Sequence, residues 1–302
     1  MTDRIAVLGA GQMGNGIAHV FAQAGYPVAM IDVSKAALAK GRDTIAKNLD
    51  RQIKKGALQP ADREAILGRI GEHDTLDAVA GAALVIEAVT ENRELKAKIF
   101  AELDAKADAG AILATNTSSI SITEIAGRTK RPDAVIGMHF MNPVPVMQLV
   151  EIIRGLATSD ATTAKVLAWS KAVGKTPVEA SDYPGFASNR ILCPMLNEAI
   201  YALFEGVGTV ESIDTVMKLG MNHPMGPLEL ADFIGLDTLA SILDVLRDGL
   251  GDPKYRACPL LREYVAAGWL GRKSGLGFYD WRSGKREPRA DLGPGGVPAF
   301  SV

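Results

Sequence analysis

Residues 6–18, AVLGAGQMGNGIA, decide how this chain folds. A strand-like run, RIAVLGA (4–10), enters the triplet Gly9-x-Gly11-x-x-Gly14, and residues 13–24 leave it with helical spacing. The three glycines differ in what they make possible. Gly9 makes the tight turn, Gly11 lets a pyrophosphate approach the backbone, and Gly14 lets the helix pack close to its strand. The helix N-terminus then offers N–H groups and the positive end of its dipole to phosphate oxygens. The residues expected around a dinucleotide are thus Gly9, Ala10, Gly11, Gln12, Met13 and Gly14. Three glycines alone also serve ordinary turns. Here a second strand-like run, PVAMID (27–32), follows and ends in Asp32. A carboxylate there accepts hydrogen bonds from the adenosine ribose and repels a 2′-phosphate. No arginine follows it, although Lys35 is close, so NAD is expected over NADP.

Outward from this loop, strand and helix patterns alternate. Further strand-like runs lie at 83–89, 111–116, 134–140, 149–154 and 176–181, and helical spacing at 93–107 and 161–173. That alternation predicts a Rossmann-type, doubly wound α/β sheet, largely parallel, with helices on both faces. Residues 34–70 are long, charged and helical, and are expected to project as a pair of helices. After SDYPGFASNR (181–190) every segment has helical periodicity broken by Gly and Pro. The expected organisation is a dinucleotide-binding domain over 1–185, an all-α domain over 186–282, and a loosely held Pro/Gly-rich tail over 283–302.

Composition narrows the function. At 302 residues and 47% apolar, the chain can fill two cores, and a net charge of −2 leaves no basic face for nucleic acid. Cys193 and Cys258 are far apart and outside any CxxC, so neither a metal cage nor a disulfide is expected. The start, MTDRIAVLGAG, carries charges where a secretory signal needs its apolar core. No run approaches the roughly 18 apolar residues of a membrane span. These features predict a soluble, reduced, cytoplasmic protein.

The second informative stretch is VIGMHFMNPVPVMQLVEII (135–153), where His139 and Glu151 interrupt otherwise apolar strands. The loop over 141–147 is too short for a parallel crossover, so the second strand must return antiparallel and bring Glu151 to His139. His139 also stands at a strand's carboxyl end, the edge where open α/β sheets bind ligands. A buried carboxylate against an imidazole orients the ring and raises its basicity, as a general base for an alcohol requires. A strand-end histidine satisfied by a structural carboxylate is the plainer alternative. The other histidines compete poorly: His19 lies on the helix behind the glycine loop, His73 falls in a charged loop, and His223 precedes a proline in the helical region.

In order and spacing, the glycine loop, EAVTEN, NTSS, GMHFMNPVPVMQLVEII, DYPGFASNRIL, LGMNHPMGPLEL and GRKSGLGFYDW resemble the 3-hydroxyacyl-CoA dehydrogenases, most closely the bacterial 3-hydroxybutyryl-CoA branch. The resemblance spans about residues 4–282. It implies NAD-dependent oxidation of a 3-hydroxyacyl-CoA by a homodimer built through the helical domain. It makes His139 the general base, Glu151 its partner, and Ser118 and Asn189 the residues that hold the substrate. Around NAD it implicates Asp32, Ala88, Glu91, Lys96, Ser118, Asn142 and Lys273, and at coenzyme A it implicates Lys55. Met141 and Gln148 stand where the family often has Phe and Lys, which puts chain-length preference in question. A sister dehydrogenase of a hydroxyacid lacking CoA, of gulonate or carnitine type, and a non-catalytic NAD-binding protein are the rival readings.

Overall fold

The computed structural model describes residues 2–297, and its chain divides into two compact units, one up to Phe186 and one from Ala187 onward. The first unit is an eight-stranded sheet in the order β3-β2-β1-β4-β5-β6-β7-β8. Its strands are β1 (Ile5–Leu8), β2 (Val28–Ile31), β3 (Ile70–His73), β4 (Leu84–Glu87), β5 (Ile112–Thr115), β6 (Val135–Phe140), β7 (Leu149–Arg154) and β8 (Thr176–Ser181). β1 to β6 are mutually parallel, β7 runs antiparallel to β6, and β8 runs parallel to β7. The chain leaves β1 for β2 on one side and later resumes at β4 on the other. That reversal of strand order opens a crevice at the carboxyl ends of β1 and β4.

The central strands read as unbroken apolar runs because both faces are covered. Their side chains alternate between two cores. Ile5, Val7, Val28, Met30, Leu84 and Ile86 face α1 (Gln12–Gln23), α2 (Lys35–Lys54) and α6 (Asp160–Ala172). Ala6, Leu8, Ala29, Ile31 and Val85 face the opposite way, towards Phe100 and Leu103 of α4 (Arg93–Lys106) and Ile122 and Ile125 of α5 (Ile122–Ala126). Two features differ from the sequence reading. The 34–70 segment does not simply project: α2 buries Leu38, Gly41, Ile45 and Leu49 in the core beside α1, and only then turns into α3 (Asp62–Gly68). β3 then forms an edge strand that places His73 on the sheet rather than in a loop.

His19 on α1 is wholly buried. Its Nε2 lies 3.3 Å from Gln52 Nε2, and its Nδ1 finds no hydrogen-bond partner among the described residues. Burial pushes its pKa down to about 4. As pH falls, the unfolded chain therefore takes up this proton first, near pH 6.5. The stabilising contribution is complete above that value and is lost as pH falls through about 4, a total on the order of 3 kcal/mol. Urea midpoints measured from pH 7 to 4.5 should fall in the wild type, and His19→Gln should flatten that slope. An unchanged slope in the variant would sink the assignment.

The second unit packs α7 (Ser188–Phe204), α8 (Val210–Thr215), α9 (Pro227–Ile234), α10 (Leu236–Leu250) and α11 (Pro259–Ala266) around Leu196, Ile200, Leu228, Leu236, Leu243, Leu260 and Phe278. Two buried carboxylates fasten it. Asp214 accepts the Leu228 and Glu229 N–H groups at the start of α9, and the Tyr279 hydroxyl. Asp232 accepts the Phe278 and Tyr279 N–H groups and the Trp281 indole, while burial pushes its pKa up to about 6. The GRKSGLGFYDW segment closes on Asp232 so tightly that a Cβ at Gly277 would stand 2.0 Å from Asp232 Oδ1.

The expected loose tail is the third correction. Up to residue 297 it is strapped to the helical unit. Glu287 bridges back to Asp280, Arg289 stacks 4.2 Å from the Trp269 ring centroid and donates to the Gly277 carbonyl, and the Tyr264 hydroxyl donates to the Gly296 carbonyl. Residues 298–302 lie outside the described residues.

Candidate active site

The glycine loop leaves β1 at the crevice. Gly9 has φ +101°, and a Cβ on it would press against the Ala88 carbonyl at 2.6 Å, so both conformation and contact require glycine. At Gly14 a Cβ would stand 1.8 Å from the Gly9 carbonyl oxygen. Gly11 differs. An added Cβ there would meet no protein atom within 4 Å, so its absence opens a cradle that the protein's own packing does not demand. Gly11 is also the N-cap of α1, whose first turn holds no acidic residue and no side-chain cap. Anionic oxygens therefore meet the N–H groups and the positive dipole end of α1 with no carboxylate from the helix's own first turn in competition. Asp32 leans over the loop: its Oδ2 accepts from Ala10 N and its Oδ1 from Ser34 N, both at 2.9 Å. Gln12 donates to Asn142 at 2.9 Å, which ties the loop to the turn after β6. The residues present fit a dinucleotide.

His139 and Glu151 are opposite each other in the β6–β7 ladder. His139 Nδ1 lies 2.8 Å from Glu151 Oε2, and the two residues are 7% and 2% exposed. With Nδ1 donating to the carboxylate, Nε2 is the nitrogen placed to accept a proton. The Phe186 ring, 5.9 Å away at 60°, packs beside the imidazole. Phe186 takes a left-handed backbone (φ +49°) just after Asp182, whose carboxylate accepts from Ser121 Oγ, Ile122 N and Thr123 N and so caps α5. The DYPGF segment thus fixes one wall of the histidine's pocket. Next door, Asn116 at the end of β5 accepts the Phe140 N–H at 2.9 Å.

Ser118 lies in the turn after β5, on the same sheet edge. Glu91 Oε1 gathers that turn by accepting from Thr117 Oγ, Ser118 N, Ser119 N and Ser119 Oγ at 2.5–3.1 Å. Glu91 Oε2 is 3.4 Å from Lys96 Nζ, and Lys96 is itself buried on Glu87 at 2.7 Å. The structure therefore brings the loop, Asp32, Ala88, Glu91, Lys96, Ser118, Asn142, His139 and Glu151 together in the first unit. Lys55 sits beyond the end of α2 in a cleft of about 620 Å³ that Arg51, Gln52, Pro145 and Lys175 also line. Asn189 and Lys273 belong to the helical unit, Asn189 in the first turn of α7 and Lys273 paired with Asp237 at 2.5 Å.

Three supporting residues escaped the sequence reading. Glu87 is one charge inside a buried strand, and that oddity was its signal. Asn116 was visible only as part of NTSS. Lys175, 8% exposed, grips the carbonyls of Val144 and Met147 at 2.6 and 2.8 Å and so holds the proline loop beside Asn142. Nothing in the local sequence around it announces that role.

A carboxylate-held imidazole on the sheet edge that carries a dinucleotide loop is the equipment of an NAD-dependent dehydrogenase acting on a hydroxyl. Comparison with known proteins makes the class specific. Residues 4–183 match the NAD-binding domain of 3-hydroxyacyl-CoA dehydrogenase, and residues 185–281 match its C-terminal domain. A probable 3-hydroxybutyryl-CoA dehydrogenase of Bacillus subtilis is 57% identical over 92% of this chain and 97% of its own. The 3-hydroxybutyryl-CoA dehydrogenase of Bradyrhizobium diazoefficiens is 55% identical over 94% and 97%. The crystal structure of (S)-3-hydroxybutyryl-CoA dehydrogenase from Ralstonia eutropha superposes with a TM-score of 0.90 at 53% identity, covering 93% of this chain and 99% of that one. The chain belongs to the 3-hydroxyacyl-CoA dehydrogenase family, and its cofactor is NAD.

Proposed function

We propose that this enzyme interconverts short-chain (S)-3-hydroxyacyl-CoA and 3-oxoacyl-CoA, with 3-hydroxybutyryl-CoA as the preferred substrate. The observation that carries the chemistry is the buried 2.8 Å contact between His139 and Glu151. His139 Nε2 removes the proton of the 3-hydroxyl in oxidation and returns it in reduction. Glu151 holds the ring in one orientation and stabilises the imidazolium that forms. Bound NAD supplies the hydride acceptor. Ser118 and Asn189 hold the substrate's 3-oxygen and thioester end, and Asp32 takes the adenosine ribose. Glu91, Lys96, Ala88, Asn142 and Lys273 complete the cofactor's surroundings. Lys55, with Arg51 on the same cleft wall, supplies positive charge to the phosphates of coenzyme A.

The active form is a homodimer built through the helical unit. Support comes from Val207, Val216, Leu219 and Met221, exposed by 76%, 59%, 82% and 61%, beside a largely apolar cleft lined by Met195, Ala199, Ala202 and Met217. The two cysteines are buried and unbridged, in keeping with a reducing cytoplasm. Among the described residues no helix is long and apolar enough to cross a membrane.

NADH formation assayed across CoA thioesters of increasing length, and on the matching free hydroxyacids, tests the substrate. Highest kcat/KM on the four-carbon thioester is expected. A preference for a free acid would move the enzyme to a sister dehydrogenase class. A monomer by light scattering at micromolar concentration would remove the assembly.

A further inference from the structure

We infer that Glu87 is a positioning residue for the reaction, acting on Ser118 through Lys96 and Glu91. Glu87 closes β4 at the carboxyl edge and is completely buried. Both its oxygens are engaged: Lys96 Nζ at 2.7 and 2.9 Å, Thr115 Oγ at 2.7 Å and Val89 N at 2.7 Å. Lys96 is 1% exposed, an unusual place for an ammonium, and it is held there by charge compensation rather than by solvent. From that fixed point the ammonium faces Glu91 Oε2 at 3.4 Å. Glu91 Oε1 in turn fastens Thr117 and the backbone N–H groups of Ser118 and Ser119.

The order of burial along this chain of contacts gives it a direction. Glu87 and Lys96 lie in the dry interior, whereas the Glu91 side chain is 39% exposed. An exposed glutamate has many rotamers, and one that must hold a turn needs an anchor. Lys96 is that anchor, and Glu87 keeps its flexible stem pointed. Thr115 belongs to the strand that leads directly into the Ser118 turn, so Glu87 fixes the turn at its root as well as at its tip. Losing the Glu87 charge should leave the fold of the sheet in place but free Glu91, and with it Ser118, from one geometry.

The inference rests on the reading that Ser118 holds the substrate, and a mutant cycle separates the two. In Glu87→Gln, kcat on 3-hydroxybutyryl-CoA should fall at least about tenfold, because misplacement of a positioned group costs turnover. Because Glu91 and Lys96 also belong to the cofactor's surroundings, the NADH dissociation constant should rise as well, but by less than the fall in kcat measured at saturating NAD. In a Ser118→Ala background the same substitution should cost less than about threefold, since it has lost the residue it acts through. If Glu87→Gln folds poorly because a buried ammonium is left alone, Glu87→Gln/Lys96→Met removes both charges. That double variant should recover thermal stability while keeping the turnover defect. Wild-type kcat in either variant, or a tenfold cost that persists without Ser118, overturns the relay. Wild-type kcat in Ser118→Ala alone overturns instead the substrate role on which the relay depends.

Discussion

Replacing His139 with glutamine should lower kcat by about 10²–10⁴-fold in both directions, the usual contribution of a positioned acid–base group. Glutamine is a fair test because it keeps much of what histidine does structurally. Its amide can donate to Glu151, so the buried carboxylate at 2% exposure is not left without a partner. Its oxygen can also accept a hydrogen bond from a substrate hydroxyl. What it cannot do is carry a proton. NADH affinity, set by the loop after β1, should stay within about threefold, which places the defect in turnover rather than in cofactor binding. Stopped-flow turnover with parallel NADH titration separates the two. If His139→Gln kept kcat within tenfold of wild type, the pair with Glu151 would be structural.

Gly14→Ala should come close to abolishing NAD binding, by more than about 100-fold or roughly 2.7 kcal/mol. The reason is local. The new Cβ would stand 1.8 Å from the Gly9 oxygen and 2.7 Å from its carbonyl carbon, both backbone atoms with no rotamer to yield. The loop must therefore open away from the helix and lose the alignment that Asp32 fixes through the Ala10 N–H. Overpacking of this kind also costs stability, typically about 1–3 kcal/mol. Gly11→Ala is the matched control, since its Cβ would meet no protein atom. It should fold like the wild type and lose affinity only because the cradle is filled. Fluorescence titration of NADH with a melting curve on both variants distinguishes them, and tight binding by Gly14→Ala would remove the loop from the cofactor site.

Much of this architecture was legible because it is written in short-range patterns. The glycine triplet lies within a single strand–helix junction, and the antiparallel return of β7 followed from a loop too short to cross over. β3 was missed because its four residues show only one buried side chain, Ile70, so an edge strand there leaves no apolar run to find. The strapped tail was missed for a different reason. Its anchors are an arginine on a tryptophan face and a tyrosine on a backbone carbonyl, contacts with no periodicity in sequence. Glu87 stood in the sequence only as a lone charge within EAVTEN and Lys96 was implicated only through the family resemblance; it takes the packing of β4 against α4 to show them as a buried pair.

The antiparallel return of β7 also bears on the order in which the molecule assembles. His139 and Glu151 are twelve residues apart in the chain, whereas Gln12 and Asn142, the tie across the cofactor loop, are 130 apart. Closing a short loop costs less chain entropy, and a hairpin forms in about 1–10 μs, while parallel pairing must await a crossover helix. On closure entropy alone, the proton-handling pair is thus within reach of a refolding chain earlier than the tie across the dinucleotide cradle, although the hairpin that carries it is marginal until the rest of the sheet packs on it. By that measure the base comes within reach before the means to hold its oxidant.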